Sequence, residues 1–296
     1  MNFDYFRSFC FNKIINIIVV IAFLIFIILV AIVASLSANF QGIDLSSCSD
    51  SSAMEKVVET IMVSTNALSS KKMEFGIKRN NDHEQPDIGA ENKRIIEKFN
   101  GIALGSKDSK NIYLTFDVGY EGGFTDKILD ILRENNVKAA FFITGQYVKT
   151  SENTIKRMIE EGHIVGNHTV HHPSLPSCSD EKIEEEIMTM HKEIYEKFNY
   201  EMKYMRPPKG EFSEKSLACI EKLGYKTVMW SFAYDDWDNN KQGREEYGKK
   251  KILDNLHNGE IMLLHATSKD NSSILDYIIK ETKKQGYEFK SLDEFV

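Results

Sequence analysis

The chain has 296 residues, with 37 lysines and arginines against 44 aspartates and glutamates, so its formal net charge at pH 7 is −7. A nucleic-acid-binding protein usually carries a basic excess or a basic stripe, so this balance argues against a nucleic-acid partner. With 42% hydrophobic residues, the chain is too apolar to be intrinsically disordered. Its four cysteines are too few and too scattered for a disulfide framework.

The first predicted element is an apolar helix near the N-terminus. Every residue from Ile17 to Ala34 is apolar, and no charge lies between Lys13 and Asp44. A helix rises about 1.5 Å per residue, so residues 14–36 can cross a hydrocarbon core of about 30 Å. A signal peptide has a shorter apolar core, roughly 7–15 residues. We therefore predict an uncleaved transmembrane anchor at 14–36, with a cleaved signal peptide as the alternative.

The charges around this segment predict its orientation. Arg7 and Lys13 precede the apolar run, whereas the first charges after it are acidic. By the positive-inside rule, residues 1–13 are predicted to be cytoplasmic and the rest of the chain extracytoplasmic. The predicted location is the cell membrane, with a single pass. Three of the four cysteines would then lie outside, an odd number, so no essential disulfide is predicted.

Residues 37–93 are predicted to be an extracytoplasmic linker or stalk. Apolar residues at helical spacing predict one short amphipathic helix at 53–62. A polar stretch of mixed charge and weak periodicity follows it. Residues 94–296 are predicted to form the main folded domain.

From residue 111 onward, strand-like apolar runs alternate with helical patterns. The predicted strands cover 112–116, 139–144, 163–167, 203–206, 226–230 and 261–264. The predicted helices cover 125–135, 154–161, 180–198, 214–223, 247–257 and 272–285. Such alternation implies parallel strands joined by right-handed crossovers. Six or seven such units favour a barrel over an open sheet, with chemistry at the carboxyl ends of the strands.

Polar residues that could take part in catalysis or bind a metal follow several of these predicted strands. They are Asp117, His168 with His172, Arg206, the segment Asp235-Asp236-Trp237, and His265. Each has a plain structural explanation: a helix N-cap, loop histidines, a surface cation or a core imidazole. Together, however, they supply a base, two metal ligands, a cation and a second titratable histidine. His171, between the two candidate ligands, is predicted to be a surface bystander.

This set of residues suits the hydrolysis of an amide. A metal held by neutral imidazoles polarises the carbonyl and lowers the pKa of a bound water. A carboxylate takes the proton of that water, and a nearby arginine favours its ionised form. His265, with an ordinary pKa near 6.5, can protonate the departing amine. A serine hydrolase is disfavoured because no GxSxG elbow occurs, and there is no P-loop or GxGxxG motif either.

Four motifs carry a resemblance to a known family. They are LTFDVGYE at 114–121, GNHTVHHP at 166–173, LLH at 263–265 and KSLD at 290–293. With them, the chain from about Lys110 to Val296 resembles a polysaccharide deacetylase of carbohydrate esterase family four, the NodB-homology group. More narrowly, it is similar to the delta-lactam-biosynthetic enzymes that deacetylate N-acetylmuramic acid in peptidoglycan. The fold implied is a distorted (β/α) barrel with fewer than eight complete units, preceded here by the transmembrane helix.

The resemblance assigns a role to each matching position. It makes Asp117 the catalytic base, His265 the catalytic acid and Arg206 the residue that tunes the base. It makes His168 and His172 the metal ligands. The substrate-binding positions that it implies are Tyr120, the backbone N–H of Lys209 as oxyanion donor, Trp237 and Leu263 as walls of the acetyl pocket, and Asp236.

Two positions depart from the family pattern. Val118 stands where most members have a second aspartate that completes an Asp-His-His metal site, so two protein ligands remain where a catalytic zinc usually has three. The implied cofactor is therefore a weakly bound divalent metal, with zinc as the first candidate. Ala233 stands where many members have an aspartate that supports the acid, which leaves open whether Asp235 or Asp236 contacts His265.

The function implied is a membrane-anchored peptidoglycan N-deacetylase acting on N-acetylmuramic acid, with glycan strands as partner. In the resembling group the product is converted to the muramic delta-lactam of the spore cortex. Two alternatives stay open: a deacetylase of N-acetylglucosamine in peptidoglycan or another glycan, and a catalytically inactive glycan-binding protein.

Overall fold

The structure, a computed structural model, describes residues 68–80 and 82–296. The predicted cytoplasmic segment, the transmembrane anchor at 14–36, the helix at 53–62 and the first part of the stalk lie outside the described residues. Within the described part, no helix is both long enough and apolar enough to cross a membrane. Cys178 and Cys219 are free thiols.

The end of the predicted stalk belongs to the folded domain. A compact unit begins at Leu68, well before the predicted boundary at residue 94. Strand β1 (Met73–Glu74) pairs antiparallel with β6 (Glu211–Phe212). Phe75 and Ile88 are buried in the core, which explains why this stretch packs against the domain rather than extending from it. We call residues 68–80 the N-terminal arm.

Eight α-helices occur in the described residues. They are α1 (Ala90–Lys98), α2 (Thr125–Glu134), α3 (Gly145–Thr150), α4 (Glu152–Glu160), α5 (Asp180–Phe198), α6 (Glu214–Lys222), α7 (Glu245–Leu253) and α8 (Lys269–Lys284). Side-chain caps define several of their starts, as at Ser179 before α5 and Ser268 before α8.

The helices surround a parallel sheet of seven strands. Its strands are β2 (Asn111–Val118), β3 (Ala140–Ile143), β4 (Ile164–Asn167), β5 (Tyr204–Met205), β7 (Lys226–Thr227), β8 (Glu260–His265) and β9 (Glu288–Phe289). The order is β7-β5-β4-β3-β2-β8, and β9 also pairs with β2. From Ile112 to Val118 every residue of β2 is buried, as expected for a parallel strand covered on both faces.

The sheet is curled, so that its two edges approach each other. The chain that leaves β7 contacts β8: Phe232 forms a parallel bridge with Met262, and the Ser231 N–H donates to the Ile261 carbonyl at 2.9 Å. This curled parallel sheet agrees with the prediction of a barrel that lacks complete units. The carboxyl ends of its strands consequently face one another across a single opening.

Candidate active site

A cavity of about 540 Å³ opens at the carboxyl ends of the strands. Among the predicted site residues, those that line it are Asp117, Tyr120, His168, His172, Lys209, Trp237, Leu263 and His265. Arg206 and Asp236 lie behind this lining, each bonded to one of its members. The structure therefore brings all ten predicted positions to one place, although they are spread over more than half of the chain.

Strand register sets the predicted base beside the predicted acid. In the parallel pair β2–β8, Asp117 is the partner of His265. His265 ends β8 and Asp117 is the last residue but one of β2, so their side chains reach the cavity from adjacent positions on the sheet. Such a placement puts a carboxylate and an imidazole on two sides of a small substrate group.

Buried charges hold Asp117 ionised. One of its oxygens, Oδ1, accepts a hydrogen bond of 2.8 Å from Arg206, and the other, Oδ2, lies 3.5 Å from Nε2 of His168. Burial alone would raise the pKa of this carboxyl, but the nearby Arg206 guanidinium and the two histidines outweigh it and lower the pKa below its usual value. Asp117 is thus a carboxylate at neutral pH, as a general base must be.

Arg206 is a fully buried arginine whose orientation is determined by four hydrogen bonds. Besides Asp117, it donates to the carbonyls of Val228 and Met229 and to the hydroxyl of Thr115, each at 3.0 Å. Its guanidinium also lies 4.3 Å from the centre of the Phe142 ring. The planar, multiply donating group is therefore rigid, and a lysine could not reproduce this geometry.

The two predicted metal ligands lie on a tight loop after β4. Nδ1 of His168 contacts the Arg206 carbonyl at 2.7 Å, which makes Nδ1 the protonated nitrogen and leaves the lone pair of Nε2 free. The His168 and His172 ring centres are 4.8 Å apart. Burial lowers the pKa of both imidazoles, that of His172 to about 4, so both are neutral at physiological pH.

These residues fit a metal with two imidazole ligands but supply no third one. Val118 is completely buried in the hydrophobic core and carries no donor atom. In the part of the chain that the structure describes, no group of three His, Cys, Asp or Glu side chains is placed to hold a metal. Neutral imidazoles are nevertheless suited to a divalent cation, with the remaining positions open to water.

His265 is held by a carboxylate behind the cavity. Its Nδ1 donates to Oδ1 of Asp236 at 2.8 Å, and its backbone N–H donates to Oδ2 at 2.7 Å. Burial disfavours the charged imidazole, but Asp236 outweighs it and raises the pKa of His265. Asp236 is therefore the supporting acid, whereas Asp235 pairs at the surface with Lys241 and Arg244.

Sequence reasoning missed two residues that support the site, Asn271 and Glu186. Asn271, on α8, donates to Asp236 and to the His265 carbonyl, and it accepts from the Tyr234 hydroxyl. Glu186, buried on α5, accepts from both the backbone N–H and Nδ1 of His171, at 2.8 and 2.7 Å. The predicted bystander His171 is thus exposed at the surface but anchors the histidine loop. No motif marks Asn271 or Glu186, because each acts through a contact made only in the fold.

The mouth of the cavity is aromatic and polar. Tyr120 and Trp237 are exposed, and the Tyr120 hydroxyl accepts a hydrogen bond of 2.7 Å from Asn239. Leu263, by contrast, is buried and forms an inner wall. Lys209 lies opposite with a backbone φ of 62°, in the left-handed region that non-glycine residues rarely adopt. The arrangement suits a polymer of sugars that presents a small apolar group to an inner pocket.

Comparisons with known proteins identify the family to which the chain belongs. The sequence profile of the polysaccharide deacetylase family matches residues 105–228. The chain is 42% identical over 231 residues to the peptidoglycan-N-acetylmuramic acid deacetylase PdaA of Bacillus subtilis, an alignment that covers 78% of this chain and 88% of PdaA. It is also 36% identical over 194 residues to a peptidoglycan-N-acetylglucosamine deacetylase of Bacillus cereus, over 64% of this chain and 89% of that protein.

Solved structures show the same relationship. The structure of Bacillus subtilis PdaA, described as a family 4 carbohydrate esterase, superposes with a TM-score of 0.75 at 42% sequence identity. The match covers 77% of this chain and 98% of that chain. From these alignments and the shared fold, the chain belongs to the polysaccharide deacetylase family, the hydrolases of carbohydrate esterase family 4.

Proposed function

We propose that this protein is a peptidoglycan N-deacetylase that hydrolyses the acetamide of N-acetylmuramic acid and releases acetate. One observation carries the proposal: an ionised Asp117 and a His265 with raised pKa lie on adjacent strands at one cavity. The choice of sugar rests on the relative PdaA, which is named for N-acetylmuramic acid and is matched over most of its length.

The proposed reaction involves two proton transfers, one to Asp117 and one from His265. Asp117 takes a proton from the attacking water while the new C–O bond forms at the acetyl carbon. The Lys209 backbone N–H would stabilise the oxyanion of the tetrahedral intermediate, as the family resemblance implies. His265 then protonates the sugar nitrogen as the C–N bond breaks, giving a free amine and acetate. A divalent metal on His168 and His172 would supply polarisation of the acetyl carbonyl.

Acetate release from stem-peptide-free glycan strands tests the proposal. We expect Asp117→Asn to lower kcat/KM by about 10²–10⁴-fold, the usual contribution of a general base. Unchanged acetate release in this variant would disprove the assigned base. Wild-type protein that binds the strands but releases no acetate with any divalent metal would favour the glycan-binding alternative.

Substrate comparison separates the two deacetylase candidates. Mass spectra of the products, from strands with and without stem peptides, show which sugar has lost its acetyl group. We expect the loss on muramic acid. Loss on glucosamine alone would assign the protein to the activity for which its Bacillus cereus relative is named.

Metal dependence is a separate part of the proposal. Because only two imidazoles are available, we expect zinc to bind weakly and exchange readily. A chelator should abolish acetate release, and added zinc should restore it. Calorimetric titration should show zinc binding that His168→Ala removes, and activity that persists in the chelator would contradict metal use.

The proposal includes an extracytoplasmic location, with residues 14–36 as a single membrane anchor. Its support is the apolar run and the charge asymmetry around it. Cell fractionation of the full chain and of a variant lacking residues 14–36 tests this point, and membrane retention of that variant would contradict it. The resemblance to the delta-lactam-biosynthetic group implies that the free amine then closes onto the lactyl carboxylate, so we also propose a role in spore-cortex synthesis. Muropeptide analysis of spores checks this role.

A further inference from the structure

The N-terminal arm, residues 68–80, contacts two walls of the cavity. It precedes the region that the family profile matches, residues 105–228. We infer that the arm is a positioning element of the active site, which sets the loop that carries the Lys209 amide and the Trp230 wall. This inference rests on the proposed function, since it assigns the arm a part in the same reaction.

The first contact holds the loop of Lys209 at its C-terminal end. The strand pair β1–β6 joins the arm to the residues directly after Gly210. In addition, the Phe75 N–H donates to the Gly210 carbonyl at 2.8 Å, and Lys72 forms an ion pair of 2.9 Å with Glu211. The arm thus makes main-chain bonds within one residue of Lys209, where the backbone is in a left-handed conformation.

The second contact fixes Trp230, which lines the cavity. The Phe75 ring meets the Trp230 ring edge to face, with centres 5.2 Å apart and planes at 79°. Gly210 lies between them with φ of 66°, and a Cβ there would come within 2.7 Å of the Trp230 ring. On the way to the active-site carboxylate, Trp230 also lies near the Arg206 guanidinium, which is 5.8 Å from its ring centre. Phe75 therefore packs against Trp230, which lies next to Arg206, the hydrogen-bond partner of Asp117.

The third contact is with residues 232 and 233, which continue the cavity wall that begins at Trp230. Arg79 donates to the Ala233 carbonyl, and its guanidinium lies 5.8 Å from the centre of the Phe232 ring. Ala233 lines the cavity. The arm therefore spans the wall from residue 230 to residue 233 on its outer side, while substrate would occupy its inner side.

This placement makes catalysis sensitive to the arm. A donor amide acts on the transition state only when it is aimed at the developing oxyanion, and small misplacements cost rate rather than ground-state binding. Phe75→Ala removes the ring that packs against Trp230 and Gly210. We expect it to lower kcat about 10- to 100-fold with a smaller change in KM.

Two further variants separate positioning from stability. Ile88→Ala removes a side chain of similar burial that lies beyond the arm, just before α1. It should lower the melting temperature as Phe75→Ala does but leave kcat near that of the wild type. Phe75→Leu, which keeps most of the volume, should restore most of kcat. Equal kcat values in the Phe75→Ala and Ile88→Ala proteins would overturn the inference.

A spectroscopic measurement tests the arm without any acetate assay. The chain has two tryptophans, Trp230 and the exposed Trp237, so the protein labelled with 5-fluorotryptophan gives two ¹⁹F signals that Trp237→Phe assigns. We expect the Trp230 signal to shift or broaden in Phe75→Ala and to stay in place in Ile88→Ala. An unchanged Trp230 signal would overturn the inference even if the wild type released no acetate, whereas an inactive wild type with the expected shift would count against the proposed function alone.

Discussion

Asp117 and His265 are tuned in opposite directions by their neighbours. Arg206 keeps the carboxyl ionised to low pH, and Asp236 keeps the imidazole protonated to higher pH. These opposite shifts widen the pH range over which the base is ionised while the acid is protonated. This separation of two pKa values on adjacent residues is the electrostatic signature of acid–base catalysis.

The tuning of His265 leads to a prediction about pH dependence. Replacing Asp236 by asparagine removes the negative charge that raises the pKa of His265, so this pKa should fall. The alkaline limb of the kcat/KM profile should then move to lower pH, with a lower maximum. Asp235→Asn is the matched control, because Asp235 binds Lys241 and Arg244 at the surface. A shift of equal size in the control would mean that the limb does not report His265.

Glu260, a buried titratable residue outside the candidate site, affects the pH dependence of stability. Glu260 is fully buried, its Oε2 accepts a hydrogen bond from the His257 N–H, and within residues 68–80 and 82–296 its Oε1 has no hydrogen-bond partner. Burial raises the pKa of this carboxyl well above its usual value. The folded state therefore favours the neutral acid, and stability that is present below the unfolded pKa of about 4.3 is lost as pH rises toward the folded pKa.

We therefore expect Glu260→Gln to stabilise the protein at alkaline pH. The amide cannot ionise, so the variant avoids the penalty of a buried charge. Its free energy of unfolding should exceed that of the wild type by about 1–3 kcal/mol at pH 8 and differ little at pH 4. Urea denaturation at both pH values measures this difference, and a variant less stable than the wild type at pH 8 would contradict a neutral Glu260.

At the scale of elements, the loop after β4 is held in a strained shape by α5. Thr169 and His172 both have positive φ, 68° and 57°. The loop is anchored by the two bonds from His171 to Glu186, which also pairs with Lys182 at 3.1 Å. A helix that follows the loop in sequence thus determines how the two histidines face each other.

Glu186→Ala should weaken both the fold and the site. The backbone N–H and imidazole of His171 lose their acceptor, so we expect a loss of about 1–3 kcal/mol in unfolding free energy. The rate of acetate release should also fall, because the loop that carries His168 and His172 is no longer held in place. Glu185→Ala is the control, because the Glu185 side chain is 62% exposed and forms an ion pair with Lys182 at the surface. Denaturation curves and acetate release for both variants measure the effect, and equal behaviour would show that Glu186 does not anchor the loop.

Among the helices and strands, sequence periodicity predicts the long ones well. The predicted helix at 180–198 coincides with α5, and the predicted strand at 261–264 lies within β8, because long amphipathic or apolar runs determine such elements locally. The arm strand β1 and the short strands β6 and β9 were missed. Each has two residues and forms only because another part of the chain offers it a hydrogen-bonding edge.

At the scale of the whole molecule, the folded unit begins earlier than composition indicates. Residues 68–93 are polar and weakly periodic, but Phe75 and Ile88 pack into the core. We expect a fragment of residues 68–296 to keep the stability and activity of the domain, and a fragment of residues 93–296 to melt at a lower temperature with little acetate release. Thermal melts and acetate assays of the two fragments measure this, and equal melting temperatures would contradict a structural role for 68–92.

The sequence by itself determined the alternating strand–helix order and the parallel sheet, since these depend on local periodicity, and the family resemblance of its motifs supplied the ten candidate site positions. Only the tertiary structure decided that Asp236 rather than Asp235 supports His265, that Asn271 and Glu186 hold the site, and that the arm packs behind Trp230. The reason is physical: these contacts join residues far apart in the chain, and their energies depend on burial and register, which exist only after the sheet has curled and closed on itself.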